Sequence, residues 1–307
     1  QALQGKVKTG YSNTAKAGSD NSKFEGVVNI PLIEDVLAVR AVAYRHDTSG
    51  YINNIAGTRL AVGGSAGGYS IPDAVAAFGG AEFYQDRNDV GNGTYTGGRI
   101  AALWKPTDAL SVTLQYGIQD ADQEGMPYVQ LNTGGYTQVA LQYGGVVPGA
   151  KGEGLTDEIS LTNLVLEYDF GWATLLSSSA WVEDDSEWNN GVTAFTSGLP
   201  LGRRFTFSSE AIFEELRLVS QLDGPWQYIL GLYYEDIDAQ SNNPIYAFTD
   251  LAITALGGVN FTNDPLLFQI HTQDNSLKQL AFFGEVSYDF TEQFELTVGA
   301  RRFDYER

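Results

Sequence analysis

The stretch Leu110-Ser-Val-Thr-Leu-Gln-Tyr-Gly-Ile-Gln-Asp120 alternates between apolar and polar residues with a period of two. Leu114 and Tyr116 belong to the apolar set, and Gln115 and Gly117 belong to the other set. Successive side chains of a β-strand point to opposite sides of the sheet, so this period separates the two sets onto two faces. The stretch is therefore predicted to be a strand with one apolar face and one polar face.

The same alternation recurs along the chain and predicts an all-β protein of about eleven strands. Each predicted strand is close to the roughly 9–11 residues that a tilted membrane-spanning strand needs. The predicted strands are Ala2–Ser12, Lys23–Leu32, Val36–Asp47, Thr94–Trp104, Leu110–Asp120, Glu158–Asp169, Trp172–Glu183, Ser209–Gln221, Trp226–Asp236, Lys278–Asp289 and Phe294–Tyr305.

Short and long connections alternate between these strands. Short turns at one end of a sheet and long loops at the other are typical of an outer-membrane β-barrel. Aromatic residues beside the short turns, including Trp104, Trp172 and Trp226, predict an aromatic girdle at a membrane interface. A soluble β-sandwich also alternates its faces, but its connections are less regular. A transmembrane antiparallel up-and-down β-barrel is therefore favoured. The short turns are Lys105–Ala109, Asp169–Trp172, Leu222–Trp226 and Asp289–Phe294, and the long loops are Thr48–Gly93, Asp120–Asp157, Asp184–Ser208 and Ile237–Leu277.

Composition excludes several classes of function. The 307 residues include 18 Lys and Arg against 38 Asp and Glu, a net charge of −20. Nucleic-acid binding is excluded because a phosphate backbone is recognised chiefly by basic residues. The chain has no cysteine and only two histidines, His46 and His271, and neither lies near a nucleophile motif. We therefore predict that the protein is not an enzyme and has no catalytic residues.

Three acidic clusters are predicted at the bases of the long loops: Asp120–Glu124, Glu183–Glu187 and Glu235–Asp238. Carboxylate oxygens in such places could hold Ca²⁺. None of the clusters has the spacing of an EF-hand loop, so solvated loop bases are the favoured interpretation. We predict no other metal site and no cofactor.

The predicted loops are rich in glycine and tyrosine, which combine a flexible backbone with rigid aromatic surfaces. Such surfaces can stack on a sugar ring, a haem or a siderophore catechol. Mobile lids and surfaces for protein contacts are alternative interpretations. The candidate ligand contacts are Tyr69, Tyr136, Tyr143, Trp188 and Tyr246.

Three groups of segments carry a resemblance to a known family. They are Gly26–Leu32 with Leu37–Tyr44 and Ser49–Asn54; Glu214–Leu218 with Gly224–Trp226 and Gly231–Tyr234; and Ala281–Tyr288 with Leu296–Arg301. In their order and spacing they resemble the TonB-dependent receptors, the ligand-gated active transporters of Gram-negative outer membranes. The plugged transporters of this kind have 22 strands. The resemblance therefore implies that residues 1–307 form about the first half of the barrel, without the plug domain and the closing strands.

The resemblance also implies a lumen wall that faces the plug. Charged side chains are tolerated on that wall, whereas Arg or Lys on the lipid face costs about 2–4 kcal/mol at the middle of the bilayer. These side chains have a second interpretation, in which they only solvate the lumen or pair with each other. The candidates are Arg40, Glu167, Glu215, Arg217, Glu285 and Arg301.

The function implied is TonB-dependent uptake of a scarce bulky ligand across the cell outer membrane. An iron–siderophore complex is the commonest class in the family. Such complexes are often anionic, however, and a chain of net charge −20 would not steer an anion. A neutral or cationic chelate, a saccharide or another nutrient remains open. A passive porin and a structural barrel subunit are the alternative functions.

The partners implied are TonB through the plug, outer-membrane lipid and lipopolysaccharide, a small-molecule ligand, and another outer-membrane protein as a further partner. No nucleic acid is expected among them.

Overall fold

The protein forms one large antiparallel β-sheet with two small sheets in its loops. Within the described ranges no helix is long and apolar enough to cross a membrane. The computed structural model describes residues 2–57, 65–66, 69–70, 86–129, 134–138, 153–191, 201–247 and 267–307.

Eighteen strands lie within these described ranges, and eleven of them are long. The long strands are β1 (Gln4–Asn13), β2 (Asp20–Ile33), β3 (Leu37–Thr48), β8 (Asn92–Trp104), β9 (Leu110–Glu124), β11 (Gly154–Asp169), β12 (Ala173–Gly191), β13 (Leu201–Ser220), β14 (Trp226–Asn242), β17 (Thr272–Thr291) and β18 (Phe294–Glu306). The short strands are β4 (Ile52–Ile55), β5 (Ser65–Ala66), β6 (Tyr69–Ser70), β7 (Asp86–Val90), β10 (Thr137–Gln138), β15 (Ile245–Ala247) and β16 (Leu267–Gln269).

The eleven long strands follow one another through the sheet in chain order. Each pairs antiparallel with the next, so the chain runs up and down without a crossover. The predicted fold class and the number of long strands are confirmed. The sheet is open, with β1 and β18 at its two edges.

The predicted strand bounds are wrong at the long-loop end of the sheet. Strand β12 continues to Gly191 instead of ending at Glu183, and β13 begins at Leu201 instead of Ser209. The three acidic clusters therefore lie in paired strands and not at loop bases. Acidic residues have low strand propensity, but the ladder of the neighbouring strand keeps them extended. The 20 residues of β13, at ~3.3 Å each and a tilt of ~45°, rise by ~45 Å, which exceeds a hydrocarbon core of ~30 Å.

The register separates the side chains onto an apolar face and a polar face. Leu114 lies between Ala102 and Leu164 of the neighbouring strands, whereas Gln115 lies between Ala101 and Asn163. Large side chains on the apolar face remain open to the surroundings, as shown by Leu114 at 50% exposure. A contiguous exposed apolar band across many strands is the lipid-facing surface of a transmembrane sheet. The band includes Val39, Ile100, Leu114, Tyr116, Leu166, Ile212, Leu216, Leu230, Leu232, Leu280, Phe282 and Val298.

Aromatic rings pack against each other at the short-turn end of the sheet, where the girdle was predicted. Phe170 stacks on Trp172 with ring centroids 5.8 Å apart. Trp226 contacts Tyr288 at 4.5 Å, and Tyr288 contacts Phe290 at 4.7 Å. Amphipathic rings of this kind concentrate at the boundary between lipid and water. The rings therefore mark the short-turn edge of the apolar band.

A pair of neighbouring arginine substitutions tests the two faces. We expect Leu114→Arg to lower the free energy of unfolding in lipid vesicles by about 2–4 kcal/mol, because it places a charge on the apolar face near mid-bilayer. Gln115→Arg is the matched control, since its side chain points to the polar face. We expect it to cost much less. Equal losses in a denaturant titration of the two variants would contradict the assignment of the faces.

Candidate functional site

Three short strands from two different loops form one small sheet at the long-loop end. Strand β4 pairs antiparallel with β7 and parallel with β10. We call this sheet, together with Tyr51, residues 125–129 and Tyr136, the loop module. Its interior holds Ile52, Val90, Asn54 and Gln138, each at most 1% exposed. A buried mixed core of this kind makes the module a folded unit and not a pair of independent loops.

The loop module is fixed to the sheet through Ser49 and Gly50. The backbone nitrogen and hydroxyl of Ser49 both donate to Oδ1 of Asn21, at 2.8 and 3.0 Å. The Gly50 nitrogen donates to Oδ1 of Asp89 at 2.6 Å, and its carbonyl accepts a bond from Gly18 at 3.3 Å. A Cβ atom at Gly50 would collide with the Asp89 backbone, so the close approach requires glycine.

Buried amide and aromatic groups join the module to the long strands. The Gln138 side-chain nitrogen donates to the backbone carbonyls of Tyr128 and Met126, at 2.8 and 3.1 Å. The Trp188 indole Nε1 donates to Sδ of Met126 at 2.6 Å. The Arg203 guanidinium lies 5.3 Å from the centre of the Trp188 ring. These contacts connect β10 to strands β12 and β13.

Burial and the negative charge of Glu153 raise the pKa of the Tyr128 phenol. Burial disfavours the ionised form, and the nearby carboxylate adds repulsion.

The module presents two aromatic rings to the outside. Tyr51 and Tyr136 contact each other edge to face, with centroids 5.7 Å apart and an interplanar angle of 84°. Their exposed fractions are 45% and 55%. A rigid exposed aromatic pair offers a flat surface on which a ring-containing ligand can stack. Tyr136 stays a predicted ligand contact, and sequence reasoning missed Tyr51, although it follows the anchoring Ser49-Gly50 pair.

The other predicted ligand contacts are in different situations. Trp188 is half-buried and already engaged by Met126 and Arg203. Tyr246 is half-buried in β15 and lies opposite Gly202 of β13. Tyr69 is in the backbone of β6, and Tyr143 lies outside the described residues. Among the candidates whose side chains the structure describes, Trp188 and Tyr136 belong to one connected unit, through Met126 and Gln138.

All six predicted lumen residues lie on the polar face by register. Some of them already have partners on that face. Arg217 pairs with Glu215 and lies over the Phe283 ring at 5.8 Å, and Arg301 lies over Tyr233 at 5.3 Å. Contact with a plug stays a prediction. The six are Arg40, Glu167, Glu215, Arg217, Glu285 and Arg301.

Most of the acidic clusters' side chains lie on the same side of the sheet as the apolar face, beyond the apolar band. Glu183, Asp185, Glu210, Asp238 and Asp274 line a concavity of about 650 Å³ there. No three acidic or histidine side chains in the described ranges come together as a metal site. Calcium binding stays a prediction with no described site.

Several other carboxylates of the acidic clusters differ from this group, and Glu187 and Asp184 are two examples. Glu187 pairs with Arg204 at 2.6 Å. Asp184 points to the polar face, where burial and the nearby charge of Asp157 raise its pKa.

No family model matches the chain, and no curated protein matches it either. Solved structures do match its fold. The ferric yersiniabactin uptake receptor FyuA of Yersinia pestis superimposes with a TM-score of 0.70 at 14% identity, over 99% of this chain and 39% of that one. The ferric citrate transporter FecA gives a TM-score of 0.62 at 8% identity, over 99% and 37% of the two chains.

The siderophore receptor PirA of Acinetobacter baumannii gives a TM-score of 0.58 at 14% identity, over 99% and 39%. The chain has the fold of a TonB-dependent receptor barrel. It spans about two fifths of the length of these receptors. The likeness is one of fold, because the identities are low.

The pKa of Tyr128 gives the loop module a pH dependence. An unfolded phenol ionises near pH ~10, and in the folded module the pKa is higher. The neutral phenol therefore stabilises the module fully below about pH 10, and this stability is lost as the pH rises through the folded pKa. The tyrosinate absorbance of the protein minus that of Tyr128→Phe should isolate this titration among the 17 tyrosines.

We expect the difference signal of Tyr128 to appear at a higher pH than the roughly pH 10 at which a free phenol ionises. A difference signal centred near pH ~10 would contradict the burial of Tyr128.

Proposed function

We propose that the protein imports a scarce, bulky small molecule across the outer membrane of a Gram-negative cell, energised through TonB. An iron–siderophore complex or a similar nutrient chelate is the proposed cargo. The observation that carries the proposal is the fold that 99% of the chain shares with a solved ferric yersiniabactin uptake receptor, a ferric citrate transporter and a siderophore receptor. The apolar band supports an outer-membrane location, since it needs lipid to cover it.

The loop module supports the receptor part of this proposal. It holds the Tyr51–Tyr136 pair on a folded base at the end of the sheet where the long loops are. Rigid aromatic side chains give a large contact area at a low cost in conformational entropy. The module is proposed as a first contact for cargo that arrives from outside the cell.

Lipopolysaccharide, lipid and another outer-membrane protein are proposed as further partners. The exposed carboxylates beyond the apolar band line a concavity, and divalent cations held by their oxygens would bridge them to the anionic phosphates of lipopolysaccharide. A passive porin is the other candidate function, but no feature of the described residues favours it. Uptake through TonB requires energy from the inner membrane, whereas diffusion through a porin does not.

An uptake experiment separates the two functions. Cells that express the complete receptor are given labelled iron as catecholate, hydroxamate and citrate chelates. We expect accumulation of one chelate that stops when TonB is deleted or a protonophore is added. Uptake that continues without TonB would contradict active transport and favour a porin.

The aromatic pair is tested in the same assay. We expect Tyr51→Ala with Tyr136→Ala to lower uptake at limiting cargo concentration by roughly tenfold, because aromatic stacking is worth about 0.5–1.5 kcal/mol per ring. Tyr116→Ala is the control, because Tyr116 is exposed on the apolar face of β9, away from the polar lumen. A double variant that binds cargo like the unchanged receptor would remove the module from the binding site.

A further inference from the structure

Met126 is the only methionine of the 307 residues, and it lies at the contact between the loop module and the wall. Its Sδ atom accepts the hydrogen bond from Nε1 of Trp188, which belongs to β12. The bonds of Ser49 to Asn21 join the module to β2 instead. The thioether is therefore the acceptor in the attachment of the module to β12.

The backbone beside Met126 is held by its own hydrogen bonds. The Gly125 nitrogen donates to the carbonyl of Glu153 at 2.8 Å, and the Tyr128 nitrogen donates to the carbonyl of Met126 at 2.8 Å. The side chain of Gln138 donates to the same carbonyl at 3.1 Å. Glu153 and Gln138 are both buried. A chemical change at the sulfur therefore has to be taken up by the side chains of Met126 and Trp188.

The indole of Trp188 is packed as well. The Arg203 guanidinium lies 5.3 Å from the centre of its ring and 5.7 Å from the centre of the Phe205 ring. Both residues belong to β13, which pairs with β12. A cation over an aromatic face is attracted by the ring, so the position of the indole also affects that of the guanidinium. A change at the Met126 sulfur would thus reach both β12 and β13.

Oxidation of a thioether by hydrogen peroxide is a balanced two-electron reaction. A lone pair of the sulfur attacks one peroxide oxygen, which stays on the sulfur, and the O–O bond breaks. The other oxygen leaves as hydroxide and takes the proton of the S–OH group, so the products are methionine sulfoxide and water. The sulfur keeps a second lone pair besides the one that faces the indole. Hydrogen peroxide is hardly larger than water, and Met126 is half-buried.

The sulfoxide cannot keep the contact to Trp188 as it is. An oxygen that accepts from the indole nitrogen needs roughly 2.7–3.2 Å to that nitrogen, and the S–O bond comes in addition. The 2.6 Å between Nε1 and Sδ leaves no room for this oxygen. If the oxygen points elsewhere, the indole N–H faces a sulfur that carries a partial positive charge and accepts poorly. Either orientation separates Trp188 from Met126.

We propose that Met126 is a site of reversible oxidation by peroxides, and that its sulfoxide detaches the loop module from β12. The oxidised module keeps its bonds at Ser49 and loses the one at Trp188. Thiol-dependent sulfoxide reductases return the thioether. The oxidation itself does not depend on the proposed function. An effect on cargo does, because Tyr51 and Tyr136 lie on the module.

The test uses the complete receptor in detergent, before and after treatment with hydrogen peroxide. Mass spectrometry of the peptide that contains Met126 measures the sulfoxide, and hydrogen exchange measures the opening of β4 and β10. We expect the sulfoxide to form and exchange in these strands to become faster by roughly two- to tenfold, the factor for the loss of one hydrogen bond. Oxidation that occurs only in unfolded receptor, or unchanged exchange in the oxidised receptor, overturns the proposal. The readout needs neither cargo nor TonB, so its failure is distinct from a failure of TonB-dependent uptake.

Three variants assign the response to this contact. Met126→Leu has a similar volume and has no sulfur to oxidise, so we expect peroxide to leave its exchange unchanged. Trp188→Phe keeps a ring but removes the N–H donor, so we expect fast exchange before peroxide is added. Trp181→Phe is the matched control, because Trp181 lies on the apolar face of the same strand and is 51% exposed. Its response to peroxide should equal that of the unchanged receptor.

A response to peroxide that persists in Met126→Leu overturns the assignment to Met126. A Trp188→Phe receptor that exchanges like the unchanged one overturns the role of the indole contact. A heat-dependent shift in gel mobility checks that each variant is folded. Treatment of the oxidised receptor with a thiol-dependent methionine sulfoxide reductase should restore slow exchange, and exchange that stays fast overturns the reversibility.

Discussion

The ladder of backbone hydrogen bonds between antiparallel neighbours is the constraint on which the rest of the structure depends. In lipid no water satisfies a free backbone group, so each strand that crosses must be paired along its length. Pairing fixes the register, and the register fixes which side chains face lipid. A slip of one residue between β9 and β11 would exchange Leu114 with Gln115 and place an amide in the apolar band. The apolar band and the inward position of the predicted lumen residues both follow from this one periodicity.

The long strands could be predicted from the sequence because the signal is local and strong. Leu114, Leu166, Leu230 and Phe282 alternate with polar neighbours in segments bounded by short turns. The strand ends that lie beyond the lipid were predicted wrongly. There the alternation of apolar residues stops, and segments such as Glu183–Glu187 are extended only because a partner strand lies beside them. That partner strand is distant in sequence, so no local pattern predicts the pairing.

The candidate site was less accessible to sequence reasoning than the fold. Tyr136 was chosen because it lies in a glycine-rich loop, but its neighbour Tyr51 comes from the preceding long loop. The inward cations of β1, β2, β3 and β8 were also missed, apart from Arg40. Lys6 and Lys8 are two residues apart, but Arg99 is distant from both in the chain. Only the register shows that Lys6 and Arg99 share a row and that the acidic residues lie elsewhere.

The loop module has a mechanical consequence. Its strands β4 and β7 belong to the excursion between β3 and β8, whereas β10 belongs to the excursion between β9 and β11. A force applied to β4 or to β10 is therefore shared by both strands, and the two cannot move independently. Displacement of the loop module would pull on β2 through Asn21, on β3 through Ser49 and on β12 through Trp188. The described part of the two excursions is therefore one mechanical element that transmits a load to three strands of the wall.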